Sequence, residues 1–502
     1  MIAKLPKVEI AAYFIVWVFS FSFSFYKVYL LGVPFETSKP NYFIDGWSIL
    51  PRRKDDSDDE WVLWTTLSVT LAPWFIVHLT LSEITRIFFI EAIPLCYMLI
   101  TVLVLLCHFP PVLSAFLIIQ LGLFFIAMLM ASKFFIWLLG IFYLLLISVG
   151  KDVFMDTSRM TDEDRLISVL LAWFLIRCLD FALSEVKESN EQCQKFLNLL
   201  AYTFYLPCFF FGPFIPYEYF KLQIYKTRHA GYKERLLCLC ISLVKYYIYY
   251  LLFEFLSHVL YCSAMHHIIE NLVSNGLWTL SGIGICMANF FYLKYIVVYG
   301  FSTSIAMFEN FTTPDLPKCI YRIHLYSKMW RHFDRGFYLF IFRCIYSPVC
   351  GRRHASIIKK SFASFLCFLF VYIWHGGTIS VFYWSLFNFV GLLCEAICRQ
   401  FWKNQFINRW LVTNLSQQNL RRLEAFVASP LWVFAVISNF MFFGGHKLGM
   451  LHFQQLLKGS LLLNISVVMI AYCMCQVSIE TDKFEKKTSD KYLITHKVEN
   501  VE

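Results

Sequence analysis

The sequence predicts an all-α polytopic membrane protein, and three observations carry that prediction. Of its residues 59% are hydrophobic and only 16% charged, against about a quarter charged in an ordinary soluble domain. Aromatics reach 19%, led by 54 Phe and 28 Tyr, and mean hydropathy is +0.59. Apolar runs near the roughly 20 residues that a spanning helix needs recur along the whole chain.

The runs, in order, are 9–32, 61–81, 87–108, 111–131, 133–149, 166–183, 197–217, 236–262, 276–300, 361–398, 426–445 and 459–478. The run 361–398 is long enough for two helices, so about ten to twelve membrane segments are expected, some of them re-entrant. Lys4 and Lys7 precede the first run, which is too long for a signal-peptide core and lacks a small-residue cleavage site, so it reads as a first helix. Between 301 and 360 polarity rises without making a clean loop, and aromatic residues recur among Arg, Lys and His at helical spacing. That pattern suits amphipathic or re-entrant helices, punctuated by Pro314, Pro317 and Pro348. We therefore expect one membrane-embedded domain over 1–480, with an amphipathic section at 301–360 and a pair of helices at 361–398. A polar, mobile tail is expected at 481–502. No internal repeat is visible, which argues against transporters built from duplicated halves.

The net charge of +10 is concentrated in short loops: 221–235, 329–335, 351–360 and 399–410. By the positive-inside rule these face the cytosol, where they also suit an anionic nucleotide or lipid head group. The acidic stretch 55–60 orients only weakly, so its side stays open. Nothing points to nucleic acid. The 17 cysteines include no CxxC pair, and most lie in apolar runs as small packing residues. Cys319 differs, sitting in the polar connection LPKCIYR; an inert thiol, a lipidation site and a haem ligand all remain open on spacing.

Ionisable groups at membrane depth are costly and by default functional. Most of the 13 histidines drop out. His266 and His267 are adjacent and point about 100° apart on a helix, and His78, His108 and His258 have no acidic or histidine partner at i+3 or i+4. His375 remains, inside FLFVYIWHGGTISVFYW and followed by two glycines. Apolar surroundings should keep its imidazole neutral, fit for a general base; the competing reading is a core histidine bonded to a carbonyl. Asp334, in MWRHFDRG, is the second candidate. On one continuous helix it would pair with Arg331 and Arg335 at the interface, and a carboxylate that positions a substrate is the alternative.

WHGG after an upstream MWRHFD, in a chain of about eleven segments, resembles the membrane-bound O-acyltransferase superfamily, and within it the hedgehog acyltransferase branch. The resemblance also rests on LPKCIYRIHLYSKMWRHFDRGFYLFIFRCIYSPV, LFNFVGLLCEAICR, ISNFMFFGG, FYLPCFFFGPFIPYEYFK and the start of the chain. It implies the superfamily's helical bundle and transfer of palmitoyl from palmitoyl-CoA to the N-terminal cysteine amine of a hedgehog-type secreted protein, or of other secreted ligands beginning with Cys. It further implies an endoplasmic reticulum or Golgi membrane and membrane lipid as a partner. By the same resemblance His375 is the catalytic histidine and Asp334 the second essential polar residue. Trp330, Arg331, Trp374 and Asn439 belong to the acyl-CoA pocket, and Cys319 ligates haem iron. Phe211, His324 and Lys328 depart from the branch pattern, and none touches the His/Asp pair. Basic residues, Arg331 and Lys328 foremost, are expected to meet the CoA phosphates. The rival readings are an O-acyltransferase for a lysophospholipid, sterol or protein serine, a transporter, and a silent scaffold.

Overall fold

A computed structural model describes residues 3–153, 161–188, 191–226, 231–351 and 355–499. Parts of two basic loops, 227–230 and 352–354, and the last three residues of the tail lie outside that set.

Helices account for nearly all of it, because in lipid only a helix satisfies every backbone N–H and C=O within its own segment. The first half holds α1 (Lys7–Ser38), α2 (Asp59–Phe88), α3 (Ile93–His108), α4 (Pro111–Leu129), α5 (Lys133–Val153) and α6 (Asp162–Glu185). Then come α7 (Gln192–Thr203), α8 (Tyr217–Lys221), α9 (Tyr232–Ser257), α10 (Cys262–His266) and the 33-residue α11 (Gly276–Phe308). Short helices follow: α12 (Tyr326–Phe333), α13 (Arg335–Ile341) and α14 (Ser347–Cys350). The chain ends with α15 (Ile357–Trp374), α16 (Ile379–Lys403), α17 (Gln405–Asn414), α18 (Gln417–Phe443), α19 (Gly445–Lys458) and α20 (Leu461–Glu499). Eleven of the described helices are long and apolar enough to cross a membrane. A two-residue antiparallel pairing, Phe43–Ile44 with Lys54–Asp55, ties the loop between α1 and α2.

The run 361–398 divides in two at the His-Gly-Gly. Gly376 and Gly377 take φ of +93° and +67°, a left-handed pair that no α-helix accommodates and that other residues adopt only under strain. Ser356 and Thr378 cap the starts of α15 and α16 by accepting from Lys359 N and Val381 N. The run 197–217 departs from the expectation of a span. α7 stops at Thr203, a 3₁₀ turn follows at Leu206–Cys208, and the chain passes through Gly212 (φ +82°) and a cis Gly212–Pro213 bond. This stretch is buried almost throughout, so its irregular backbone is shielded by protein.

α11 is the central post, packing against α1, α9, α18 and α19. At its end the buried Glu309 accepts from Tyr97 (2.9 Å) and Tyr205 (2.6 Å), meets His78 Nε2 at 3.1 Å and bonds Ser82. This joins α2, α3 and the 204–221 stretch to α11. His78 therefore has a partner, one too distant in the chain for helical spacing to reveal.

The tail also departs from expectation. α20 runs through residue 481 without a break, and its Asp482 and Glu485 pair with Lys328, Lys318 and Arg322. His324, buried, shares a 2.8 Å hydrogen bond with Ser478, and burial, aided by Lys328, pushes its imidazole down to about 4. The two unusual basic positions thus dock the last helix.

Candidate active site

The section from Asn310 to Cys350 folds inward as short elements, and its central break creates the site. α12 ends at Phe333. Asp334 leaves helical geometry (φ −130°, ψ 99°) and caps α13 through Oδ1, which accepts from Phe337 N at 2.9 Å. Its Oδ2 accepts from Tyr299 OH of α11 at 2.8 Å. Among the described residues Asp334 pairs with neither Arg331 nor Arg335, because the continuous helix that would place them together is absent. Burial pushes its carboxyl above the ordinary range. Two residues on, Gly336 lies so close to the cis-proline loop that an added Cβ would meet Phe214 O at 2.0 Å. The Gly-Pro stretch is thus the floor on which the Asp334 turn rests.

His375 ends α15, and four aromatic rings meet it edge to face: Trp374 at 4.8 Å, Phe442 at 5.4 Å, Trp384 at 5.5 Å and Phe337 at 6.4 Å. The imidazole and the Asp334 carboxylate both line one cavity of about 510 Å³. Its walls are a stripe of α15 (Lys360, Ser364, Cys367, Phe368, Val371, Trp374), the facing side of α16, the α12–α13 break and Phe291, Tyr295 and Tyr299 of α11. Lys318, Arg331, Lys360, Arg399 and Lys403 also line it. Fifteen residues of helix separate Lys360 from His375, about 22 Å at 1.5 Å per residue. The cavity is therefore a long apolar chamber with Lys360, Arg399 and Lys403 toward one end, Lys318 and Arg331 near the α12–α13 break, and an imidazole and a carboxylate inside. That shape suits an amphipathic polyanion.

The structure brings His375, Asp334, Trp330, Arg331 and Trp374 to this cavity. Asn439 is not part of the wall: buried behind it, it accepts from Trp384 Nε1 at 3.4 Å and donates to Met329 Sδ at 3.4 Å. Lys328 is likewise absent from the wall, being held by Asp482. Trp330 donates to Asn388 Oδ1 at 3.1 Å, so the two indoles, 5.3 Å apart, are each held by a buried amide, Trp330 by Asn388 and Trp384 by Asn439. Trp384, Asn388, Tyr299 and Phe442 escaped the sequence reading. Asn388 was the findable one, a lone amide inside the apolar LFNFVG.

The residues around Cys319 do not fit a haem. Its thiol lines neither this cavity nor the second one below, and desolvation raises it away from the thiolate a ligand needs, outweighing the opposite pull of the Tyr321 and Arg322 backbone N–H groups. No cluster of three or more His, Cys, Asp or Glu suited to a metal occurs among the described residues.

A second cavity, of about 320 Å³, adjoins the first and shares Phe291 and Phe442 with it. Its lining is acidic: Asp58, Asp59 and Glu60, with His266 and His267 opposite and Lys294 held by Asp58 (2.8 Å) and Glu60 (2.7 Å). Phe291 and Phe442 thus stand between a chamber that carries basic residues and one that carries Asp58, Asp59 and Glu60.

Comparison with known proteins agrees with that architecture. The family model of the membrane-bound O-acyltransferase family matches residues 120–438. The chain is 29% identical over 479 residues to the protein-cysteine N-palmitoyltransferase Rasp of Drosophila melanogaster, covering 94% of this chain and 93% of that one. It is 28% identical over 282 residues, 56% of each chain, to the protein-cysteine N-palmitoyltransferase HHAT of Mus musculus. To the mouse HHAT-like protein it is 23% identical over 463 residues, 87% of each.

Proposed function

We infer the activity from one premise: the chain belongs to the membrane-bound O-acyltransferase family. It is a multi-pass membrane enzyme, a protein-cysteine N-palmitoyltransferase that moves palmitoyl from palmitoyl-CoA to the α-amine of an N-terminal cysteine. The observation that carries this reading is the single chamber that holds His375 and Asp334 and carries the Lys360 cation about 22 Å away along α15.

CoA phosphates rest among Arg331, Lys360, Arg399 and Lys403, all four exposed. The acyl chain lies against Phe368, Val371 and Trp374, each buried methylene contributing about 0.8 kcal/mol. The acceptor enters by the second cavity, where Asp58, Asp59 and Glu60 outnumber their partners Lys294 and Arg165 by one negative charge, a bias that suits a cationic peptide end. At the partition the amine adds to the thioester carbonyl, His375 takes the amine proton, and the CoA thiol leaves with a proton in its place. An α-amine has a pKa of about 7.7–8.0, so a neutral imidazole is base enough. Asp334, fixed by Tyr299 and Phe337 N, retains lone pairs for an amine N–H. The acceptor is a hedgehog-type secreted protein, and other secreted ligands with an N-terminal cysteine suit the same amine chemistry. The setting is the endoplasmic reticulum or Golgi membrane, where such chains present a free N-terminus.

Purified protein incubated with labelled palmitoyl-CoA and a Cys-initiated peptide should give an N-palmitoyl peptide. An N-acetylated peptide, a lysophospholipid and a sterol should stay unlabelled. Label on any of those three in preference to the free amine rejects the reading.

A further inference from the structure

We propose that Phe442, backed by Phe291 and Phe443, is a barrier between the two chambers that admits the acceptor amine and withholds water from the thioester. The proposal rests on the N-palmitoyl transfer described above. Phe291 and Phe442 line both cavities, whereas Phe443 lines only the acidic one. The three rings close on one another: Phe442–Phe443 at 5.2 Å, Phe291–Phe442 at 5.8 Å and Phe291–Phe443 at 4.8 Å between centroids. Toward the donor side Phe442 meets His375 edge-on at 5.4 Å and lies 4.3 Å from Trp384. All three rings are only half-buried although they line cavities within the bundle. They come from two elements, Phe291 from α11 and the other two from the last turn of α18, directly before Gly444 and Gly445. Gly445 has φ +69°, so the helical ladder ends there and leaves the two rings on its least restrained turn.

The chemistry makes such a barrier necessary. A base that takes a proton from an attacking amine takes one equally well from water. Water would then add to the same carbonyl, giving palmitate and the CoA thiol in place of the amide. His375 cannot discriminate between the two nucleophiles, so access must. Three phenyl rings offer a crossing water no hydrogen-bond partner. A peptide seated in the acidic chamber has binding energy to spend on displacing a ring, and a water molecule has none.

The test follows CoA thiol release without peptide and palmitoyl-peptide formation with it, in parallel, on purified protein. In F442A, peptide-independent thiol release should rise about tenfold or more relative to transfer, because the excluded side reaction is let in. F442L, which keeps most of the apolar bulk, should fall between, and F442W should raise the KM for peptide while leaving that for palmitoyl-CoA unchanged. Should F442A not fold, F442L and F291L read out the same ratio. A folded F442A whose hydrolysis and transfer fall in equal proportion shows a packing residue and overturns the barrier alone. A wild-type protein that releases thiol but never labels the peptide overturns the transfer reading beneath it.

Discussion

Adding one methyl group at Gly336 should disable the enzyme without touching either candidate catalytic side chain. The Cβ of G336A would stand 2.0 Å from Phe214 O, where real Cβ contacts essentially never fall under 3.0 Å. The obstacle is a backbone carbonyl beside the cis Gly212–Pro213 bond, so no side-chain rotation relieves it. The first turn of α13 must then retreat by about 1 Å, at an overpacking cost of about 1–3 kcal/mol. Asp334 caps that turn through Phe337 N and moves with it, straining the 2.8 Å bond from Tyr299. A displacement of about 1 Å in a reacting constellation is worth up to about 10²-fold in rate. Initial rates of peptide palmitoylation at saturating palmitoyl-CoA, on detergent-solubilised protein matched by thermal melting, measure it. G122A is the control, since a Cβ there meets nothing within 4 Å. Turnover of folded G336A within twofold of wild type would refute the claim that the floor beneath Asp334 sets its position.

Three further outcomes are expected. H375A should fold yet lose at least about 10²-fold in acyl transfer, while D334N should lower turnover more than melting temperature; wild-type-like rates in either remove that residue from the chemistry. Neutralising Lys360, Arg399 and Lys403 together should raise the KM for palmitoyl-CoA with kcat held and flatten its salt dependence, since exposed charges are screened over about 10 Å at 0.1 M salt; an unchanged KM would place the CoA phosphates elsewhere. N388L should strand Trp330 Nε1, costing about 1–3 kcal/mol by thermal or denaturant unfolding; a neutral result would mean that water replaces the amide.

Membrane class, most helix locations and His375 as the histidine to weigh were legible in the residues themselves, whereas spacing alone read Asp334 as a local ion pair. Each is a local property: twenty apolar side chains in a row, or an ionisable group among aromatics, mean the same wherever the chain later goes. Tertiary contacts were not legible. Asp334 looked like the partner of Arg331 and Arg335 because a continuous helix places them together. The break at 334 instead turns it toward Tyr299, a residue of the central helix. Asn439 looked like a pocket residue but lies buried behind the wall, bonded to Trp384 and Met329. The tail looked free because its charges had no visible partners, which lie about 160 positions upstream at Lys318, Arg322 and Lys328.

By itself the sequence determined the solvent this protein lives in, the helices that solvent demands, and an imidazole set among aromatic side chains. Only the folded chain decided that the imidazole and a carboxylate face one chamber, and that Phe291 and Phe442 line both this chamber and a second one. The physical reason is range. Hydropathy and helix formation act over a few turns, whereas a cavity is the space that distant segments leave between them, and no short window of residues encodes it.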